Sequence, residues 1–293
     1  MTGHVSVLTA DVVRQLQPSH GGVFIDCTVG LGGHSSALLS AGATRIIGLD
    51  RDADALARAG ATLEPWGPRV DLVHADYREL DVVLDRLGVR LVDGALADLG
   101  VSSLQLDEPG RGFSFQRDEP LDMRMDRLSG ETAAAVLARS SETELADAIF
   151  RFGEERYSRR VARAIVQARQ RAPITTTAQL AAIVRRAVPR RGAPRIDPAT
   201  RTFQAFRIWV NRELDGLDAF LETIVGRLRA GARLVVIAFH SLEDRIVKHT
   251  FRALETRRIA RVLTKKPVRP TDDEVRENPR ARSAKLRAAE RLG

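Results

Sequence analysis

The sequence contains one cysteine, Cys27, among 293 residues. A single chain can therefore form neither an internal disulfide nor a thiolate metal cluster, which favours a reducing compartment. The six histidines include no i, i+4 ligand pair and no HExxH motif, so we expect no structural metal. The longest clean apolar run, Leu234 to Phe239, is far too short to span a bilayer. Because Asp11 also interrupts any signal-peptide core, we expect a soluble, cytoplasmic protein with no membrane partner.

Acidic residues are outnumbered, since 46 Lys and Arg face 38 Asp and Glu, giving a formal net charge of +8 and a sequence pI near 10.5. So basic a chain favours a partner rich in phosphates, although an arginine-rich proteome would give the same balance. The remaining composition is ordinary, with 44% hydrophobic and 29% charged residues. The length suffices for one large domain or two smaller ones.

Residues 22–34 combine a short apolar run, an acid and a group of glycines. Val23 to Ile25 predict a buried strand that ends at Asp26. Gly30, Gly32 and Gly33 would let the backbone approach a ligand closely. The free amides of a helix that begins near His34 would point into the same crevice, where the helix dipole adds partial positive charge.

A second apolar run, residues 45–50, ends in Asp50, about 20 residues after the first glycine, which is the spacing at which a carboxylate can hold ribose hydroxyls. The pocket should therefore bind a nucleoside. An NAD-type dinucleotide is one candidate, but Ser35 stands where its fingerprint requires glycine. S-adenosyl-L-methionine carries a sulfonium cation and no pyrophosphate, which suits a loop flanked by acids. We favour it, and an NAD-dependent oxidoreductase is the alternative.

Further strands are predicted at residues 70–73 and 92–99, and helices alternate with them. This alternation predicts a doubly wound parallel sheet, in which ligands bind beyond the carboxyl ends of the strands. Four polar positions lie at such ends: Asp26, Asp50, Tyr77 and Asp98. The Tyr77 ring would either support an adenine or cap the core.

Between residues 102 and 202 the strand alternation stops, and helices are predicted at 131–139, 142–152, 155–171 and 176–188. This pattern indicates an inserted helical domain. Arg156, Arg160 and Arg163 form a stripe beside an apolar face, and further arginines follow at 185, 186, 190, 191, 195 and 201. The stripe would either bind phosphates or be a solvated basic face.

The sheet is expected to resume after the insertion. One long helix is predicted from Thr202 to Leu228, followed by a fifth parallel strand from Arg233 to Phe239. Residues 262–264 and 284–288 are expected to form a closing antiparallel pair.

Several long motifs occur in order: residues 97–126 (ADLGVSSLQLD through RGFSF to PLDMRMD), 153–156 (GEER), 198–205 (PATRTFQA), 239–248 (FHSLEDRIVK) and 278–286 (NPRARSAKL). Together with Gly32-Gly33-His34 they closely resemble the ribosomal RNA small subunit methyltransferase H family. The resemblance implies a class I S-adenosylmethionine-dependent methyltransferase with a Rossmann-like sheet and an inserted all-helical domain. The expected parts are a core at 1–103 and 203–293 and an insertion at 104–202.

The resemblance also implies the activity, N4-methylation of a cytidine in the decoding region of small-subunit (16S) rRNA. The partner would be this rRNA or the 30S subunit, and no DNA is expected. S-adenosyl-L-methionine contacts are implied at Gly32, Gly33, His34, Asp50, Tyr77, Asp98 and Gln105. A non-enzymatic rRNA-binding or assembly factor is a third possibility, which the intact set of pocket residues argues against.

Two further groups of residues are candidates for contact with the substrate. RNA contacts are expected from Arg124, Arg156, Arg160 and Arg163. Asn211 and His240 are candidate catalytic residues on the substrate side, and the alternatives are a helix-capping residue and a hydrogen-bonded histidine at a strand end. Asp98 could also accept a hydrogen bond from the amino group of the substrate.

Overall fold

The computed structural model describes residues 6–189 and 197–293. The chain divides into two compact units, of which one runs to Gly100 and resumes at Gly216, and the other spans Val101–Asp215. The first boundary between the units, after Gly100, lies close to the predicted boundary at residue 103. The second lies after Asp215 rather than after residue 202, because the helix that follows residue 198 packs into the core of the helical unit.

The first unit is built on one sheet with strand order β3-β2-β1-β4-β5-β7-β6. The strands are β1 (Val23–Asp26), β2 (Arg45–Asp50), β3 (Val70–His74), β4 (Val92–Asp98), β5 (Leu228–Ala238), β6 (Ala260–Val262) and β7 (Lys285–Arg291). Strands β1 to β5 are parallel, and β7 runs antiparallel to both β5 and β6. The predicted doubly wound sheet is confirmed, and so is the closing antiparallel pair, with slightly shifted ends.

The described residues form the helices α1 (Thr9–Leu16), α2 (Gly33–Ser40), α3 (Ala53–Leu63), α4 (Leu80–Arg86), α5 (Ser103–Asp107), α6 (Ala133–Arg139), α7 (Glu142–Gly153), α8 (Ser158–Arg169), α9 (Thr177–Ala187), α10 (Ala199–Asn211), α11 (Leu217–Gly226), α12 (Ser241–Thr256) and α13 (Asp272–Glu277). Short 3-10 turns connect several of them. Throughout the described ranges, no helix combines the length and apolar character needed to cross a membrane.

Two apolar layers cover the two faces of the sheet. Leu84, Phe220 and Phe251, from α4, α11 and α12, belong to one cluster with side chains of the central strands, and α1, α2 and α3 contribute to the other. Full burial of one such side chain contributes about 1.5 to 3 kcal/mol. Helix α1 contributes Val12 and Leu16 to the second cluster and is therefore a packing helix.

The second unit is helical, as predicted, and its core contains Leu137, Ile149, Val161, Leu180 and Phe206, one from each of α6 to α10. Side-chain caps fix the helix starts: the Ser141 hydroxyl accepts from the Glu144 N–H, and Thr176 does the same for Gln179.

The prediction of one helix from Thr202 to Leu228 is wrong. The chain leaves α10 through Arg212, whose φ is 51°, and enters α11 at Gly216, whose φ is 67°. The left-handed backbone at Arg212 ends α10, and Gly216 is the N-cap of α11. The apolar positions on either side continue with helical spacing, and so periodicity alone did not reveal the break.

The order of the strands places the ligand crevice. The chain builds β1, β2 and β3 outward in one direction and then returns to place β4 on the other side of β1. In a doubly wound sheet, ligands bind beyond the carboxyl ends of the strands at such a reversal. Asp26 ends β1 and Asp98 ends β4, so these two acids flank the reversal point.

Candidate cofactor site

Asp50, at the end of β2, ties the glycine loop to the sheet. Its Oδ2 accepts a hydrogen bond from the Gly30 N–H at 2.8 Å, and its Oδ1 accepts one from the Asp52 N–H at 2.9 Å. A carboxylate has about four acceptor positions, so both oxygens can accept a further hydrogen bond. Burial raises the pKa of Asp50 to about 6, and the two backbone hydrogen bonds oppose that shift.

The glycines of the loop are required by the fold itself. Gly32 has a φ of 83° and forms the N-cap of α2. A Cβ on Gly33 would overlap the Ser6 hydroxyl, whereas a Cβ on Gly30 would have nothing closer than the Thr28 carbonyl at 3.9 Å. The turn and the packing within the protein therefore require Gly32 and Gly33, and their contact with the cofactor stays a prediction.

Asp26 lies beneath the loop and is 1% exposed. It accepts hydrogen bonds from the Ser35 hydroxyl at 2.8 Å and from the Thr28 N–H at 3.3 Å. Burial raises its pKa, and the charge of His34 and these hydrogen bonds oppose the shift. Thr28 also accepts a hydrogen bond from the Asp98 N–H at 2.7 Å, which joins the loop to β4. The sequence predicted Asp26 at the end of a strand but not its hydrogen bonds with Ser35 and Thr28.

His34 and Asp98 face each other across the crevice. His34 Nε2 lies 3.5 Å from Asp98 Oδ2, and the two side chains are 6% and 25% exposed. Burial lowers the pKa of His34, but the neighbouring Asp98, assisted by Asp26 and Glu274, more than offsets this effect and the pKa is raised. Within the described part of the chain, His34 Nδ1 and Asp98 Oδ1 are buried and have no hydrogen-bond partner. Two polar atoms are thus available for a ligand.

Tyr77 follows β3 and is half-buried. Its ring packs against Phe220, with centroids 4.5 Å apart and planes at 49°, and it contacts the apolar cluster beneath α11. One side of the ring therefore caps the core, which is one of the two roles predicted for Tyr77. Contact of the remaining surface with an adenine stays a prediction.

The match to known proteins extends over nearly the whole chain. Residues 1–292 match the model of the MraW methylase family. The chain belongs to the MraW methylase family. This membership confirms the predicted family and enzyme class, the class I methyltransferase fold and S-adenosyl-L-methionine as cofactor.

Relatives of this methylase carry a more specific name. Proteins named "Ribosomal RNA small subunit methyltransferase H" are 54% identical in Sorangium cellulosum, 52% in Nitrobacter winogradskyi and 50% in Nitratidesulfovibrio vulgaris. The alignments cover 99%, 98% and 99% of this chain and 91%, 90% and 95% of the respective relatives.

The crevice residues of this methylase fit its cofactor. S-adenosyl-L-methionine presents a ribose diol that donates hydrogen bonds, a cationic methionine end and a carboxylate. Asp50 offers acceptors, and Asp98 and Asp26 supply negative charge near the amino end of α2. The buried Nδ1 of His34, which has no partner among the described residues, is the strongest sign of fit, because buried polar atoms without partners are rare unless a ligand completes them.

His240, a candidate catalytic residue, forms the N-cap of α12. Its Nδ1 accepts a hydrogen bond from the Glu243 N–H at 3.3 Å, and its Nε2 lies 3.1 Å from Glu243 Oε1. Glu243 Oε2 in turn accepts from the N–H groups of Phe239 and His240. This reciprocal cap supports the structural alternative for His240.

Asn211, the other catalytic candidate, is buried within the helical unit. Its Oδ1 accepts from the Met125 N–H at 2.7 Å, and its Nδ2 donates to the carbonyls of Met123 at 2.7 Å and Arg207 at 2.9 Å. Buried Arg111 donates to the Met125 carbonyl at 2.9 Å, so two distant residues hold the same loop. These contacts favour a structural role for Asn211 and explain part of the long motif at 97–126.

Gln105, which only the resemblance implicated, is buried at the start of α5. Its Oε1 accepts from the Ser102 N–H at 3.0 Å, and the Gln105 N–H donates to the Ser102 hydroxyl at 3.3 Å. The side chain therefore caps its own helix. A contact with the cofactor stays a prediction.

The predicted RNA-binding arginines differ in their surroundings. Arg124 is held by Asp122 through two hydrogen bonds of 2.7 and 3.0 Å, so its guanidinium is mostly engaged inside the unit.

Arg156 lies over the Tyr157 ring at 4.8 Å from its centroid. Arg160 and Arg163 are exposed on α8, and Arg163 meets Glu142 at 3.4 Å. Arg156 is exposed as well, so all three residues of the predicted stripe lie at the surface. Arg190, Arg191 and Arg195 lie outside the described residues.

Proposed function

We propose that this methylase transfers a methyl group from S-adenosyl-L-methionine to N4 of a cytidine in the decoding region of small-subunit rRNA. The observation that carries the proposal is the family match over residues 1–292, joined by relatives at 50–54% identity that bear the rRNA methyltransferase name. We further propose the 30S subunit as the form of the substrate, and the cytoplasm as the place of action.

The crevice residues divide the recognition of the cofactor among them. Asp50 receives the ribose hydroxyls on the free lone pairs of its two oxygens. Asp98 and His34 face the methionine end, and Asp26 adds negative charge below the loop. When bound, S-adenosyl-L-methionine supplies a methyl group activated by its attachment to a positively charged sulfur.

The main task left to the protein is alignment, which can be worth roughly 7 to 11 kcal/mol in a displacement between two bound reactants. The amino nitrogen of cytosine is a poor nucleophile because its lone pair is delocalised into the ring. A hydrogen bond from that amino group to Asp98 Oδ1, which is buried and lacks a partner in the described residues, would localise the lone pair on nitrogen.

RNA recognition is proposed for the exposed arginines of the helical unit, with Arg160 and Arg163 the best placed. A base stacked inside a helix is out of reach, and so the target cytidine must be unpaired or turned outward. The arginines would bind backbone phosphates of the same rRNA, which adds affinity without reading sequence.

The deciding experiment is transfer of a labelled methyl group from S-adenosyl-L-methionine to isolated small subunits and to naked 16S rRNA, followed by nucleoside analysis. We expect label in N4-methylcytidine from at least one of the two substrates. Label confined to another nucleoside would refute the proposed position, and no transfer to either substrate would refute the proposed reaction. Asp98→Ala serves as the inactive comparison, with the binding of S-adenosylhomocysteine measured in parallel.

A further inference from the structure

The last part of the chain concentrates much of the protein's positive charge. Residues 265–287 contain eight Lys and Arg and only four Asp and Glu, within a protein of formal net charge +8. None of the site contacts described above uses these basic residues. Their place in the sheet decides what they can bind.

The pairing of β7 puts its first residue beside the cofactor crevice. Lys285 pairs with Ala238, the last residue of β5, and the neighbouring residue Ile237 pairs with Asp98. Because β7 runs antiparallel to β5, its start lies at the edge where the parallel strands end. The residues just before β7 therefore lie at the same edge as Asp98.

A second segment reaches the same edge along the outer side of β7. Val262 pairs with Ala289, and Val268 then pairs with Leu286 through two hydrogen bonds of 2.9 Å. Lys265 and Lys266 are exposed in the loop between these two pairings, and Arg269 follows the second one, toward the start of β7.

Six of the eight basic residues of this region fall into two groups, whereas Arg276 is paired with Asp273 and Arg280 makes other contacts. Lys285 and Arg287 are bound to Asp244, at 3.1 and 2.7 Å, and so they serve the fold. The other group is exposed and consists of Lys265, Lys266, Arg269 and Arg282. Among the described residues, no acidic side chain lies within ion-pair distance of any of these four. We name these four residues the cationic rim.

The acids of the region lie mainly on α13 and are partly engaged. Glu274 accepts a hydrogen bond from the Leu8 N–H at 2.6 Å, and Asp273 is paired with Arg276. Asp272 and Glu277 complete the set, and among the described residues none of the four acids lies within ion-pair distance of a rim residue.

We propose that the cationic rim is a second RNA-binding surface, which binds backbone phosphates next to the cofactor crevice on the catalytic unit. The inference rests on the proposed function for its ligand. Separate, exposed and flexible cations spread along an edge suit an extended polyanion, because each can meet a different phosphate and release its counterions.

The test uses the full-length protein carrying Lys265→Gln, Lys266→Gln and Arg269→Gln, with 16S rRNA as the probe. Binding is measured over a range of salt concentrations. Loss of three phosphate contacts should reduce the slope of log K against log salt by about 2. That difference means binding roughly a hundredfold weaker at about 0.1 M salt and nearly equal at about 1 M. S-adenosylhomocysteine affinity should be unchanged.

The matched control removes the same charge at the other end of the sheet, by Arg86→Gln, Arg90→Gln and Arg229→Gln. These residues are exposed and lie near the start of β4 or β5, and within the described ranges only Arg229 of the three is ion-paired, with Asp93 at 3.0 Å. The control should keep the wild-type slope. An unchanged slope in the rim variant, or an equal loss in both variants, would overturn the proposal.

Methyl transfer separates this proposal from the proposed function. If the wild-type protein binds rRNA but transfers no methyl group, and the rim variant has a reduced salt slope, the result supports the rim and refutes the reaction. A wild-type protein that methylates rRNA, with a rim variant of unchanged slope, supports the reaction and refutes the rim.

Discussion

Protonation of Asp50 should control the affinity for the cofactor. Burial raises the pKa of this carboxyl to about 6, whereas its ordinary value is 3.8. The ionised form accepts hydrogen bonds at both oxygens, while the protonated form has lost one acceptor position and its negative charge. Since both oxygens already accept a backbone N–H, an added proton also competes with the ribose hydroxyls.

The expected size of the effect follows from the ionised fraction. With a pKa of about 6, roughly one molecule in eleven carries ionised Asp50 at about pH 5, so the apparent Kd should be about tenfold higher than at about pH 7. Tenfold corresponds to about 1.4 kcal/mol. With the ordinary pKa of 3.8, the same change of pH would alter Kd by less than about 10%.

The assay is isothermal titration with S-adenosylhomocysteine between about pH 5 and pH 8, in the wild-type protein and in Asp50→Asn. The variant should bind more weakly at every pH, and its affinity should lack the step near pH 6. A step that persists in Asp50→Asn would assign the titration to another group, such as His34 or Asp26. A wild-type Kd that changes by less than about twofold between pH 7 and pH 5 would refute the reasoning.

The same shift of pKa has a consequence for stability. The folded pKa lies above the unfolded one, so the folded state binds more protons between about pH 4 and 6, and its stability falls as pH rises through this window. Asp50→Asn has no such loss. The stability of the variant relative to wild type, in the absence of ligand, should therefore increase by roughly 1 kcal/mol from pH 5 to pH 7, as measured by urea unfolding at each pH.

Three further outcomes are expected. Asn211→Ala should lower stability by about 3 kcal/mol, because it leaves buried main-chain groups without partners, and a loss of turnover at unchanged melting temperature would instead restore a catalytic role. Reversing Arg160 and Arg163 to Glu should weaken rRNA binding and reduce its salt slope by at least about 1 while S-adenosylhomocysteine binding survives; an unchanged slope would make them a solvated face. Asp98→Asn should lower the pKa of His34 in an NMR titration, since Asp98 is the main group that raises it, and an unmoved titration would contradict the pairing.

The sheet could be predicted from the sequence because its signals are local. Strands β1, β2 and β4 are short apolar runs that end in an acid, and Asp52 is a side-chain cap that marks the start of α3. The break between α10 and α11 was missed because left-handed backbone at Arg212 leaves no composition signal. The second boundary between the units, after Asp215, differs from its predicted position for the same reason, because it lies inside the segment that the periodicity predicts as one helix.

The candidate site was predictable only in part, because side-chain partners are not encoded by spacing. Polar residues at strand ends were expected at one edge, and Asp26, Asp50 and Asp98 do lie there. Asn211 and His240 have the residue types of catalysis, yet both make hydrogen bonds that hold main chain in place. Only the coordinates distinguish a polar side chain that holds a loop from one that is free for a ligand.

The glycine loop shows why cofactor choice depends on the acids around it. A positive φ fixes Gly32, and packing against Ser6 fixes Gly33, so both would be needed whichever nucleoside were bound. The residues that can distinguish a sulfonium from a pyrophosphate are the charged ones. Asp98 lies at the crevice and Asp26 beneath its loop, and the charges of both act on His34; acids in these positions repel a pyrophosphate and attract a cation. Changing these acids should therefore alter cofactor selectivity, whereas changing the glycines should first alter the fold.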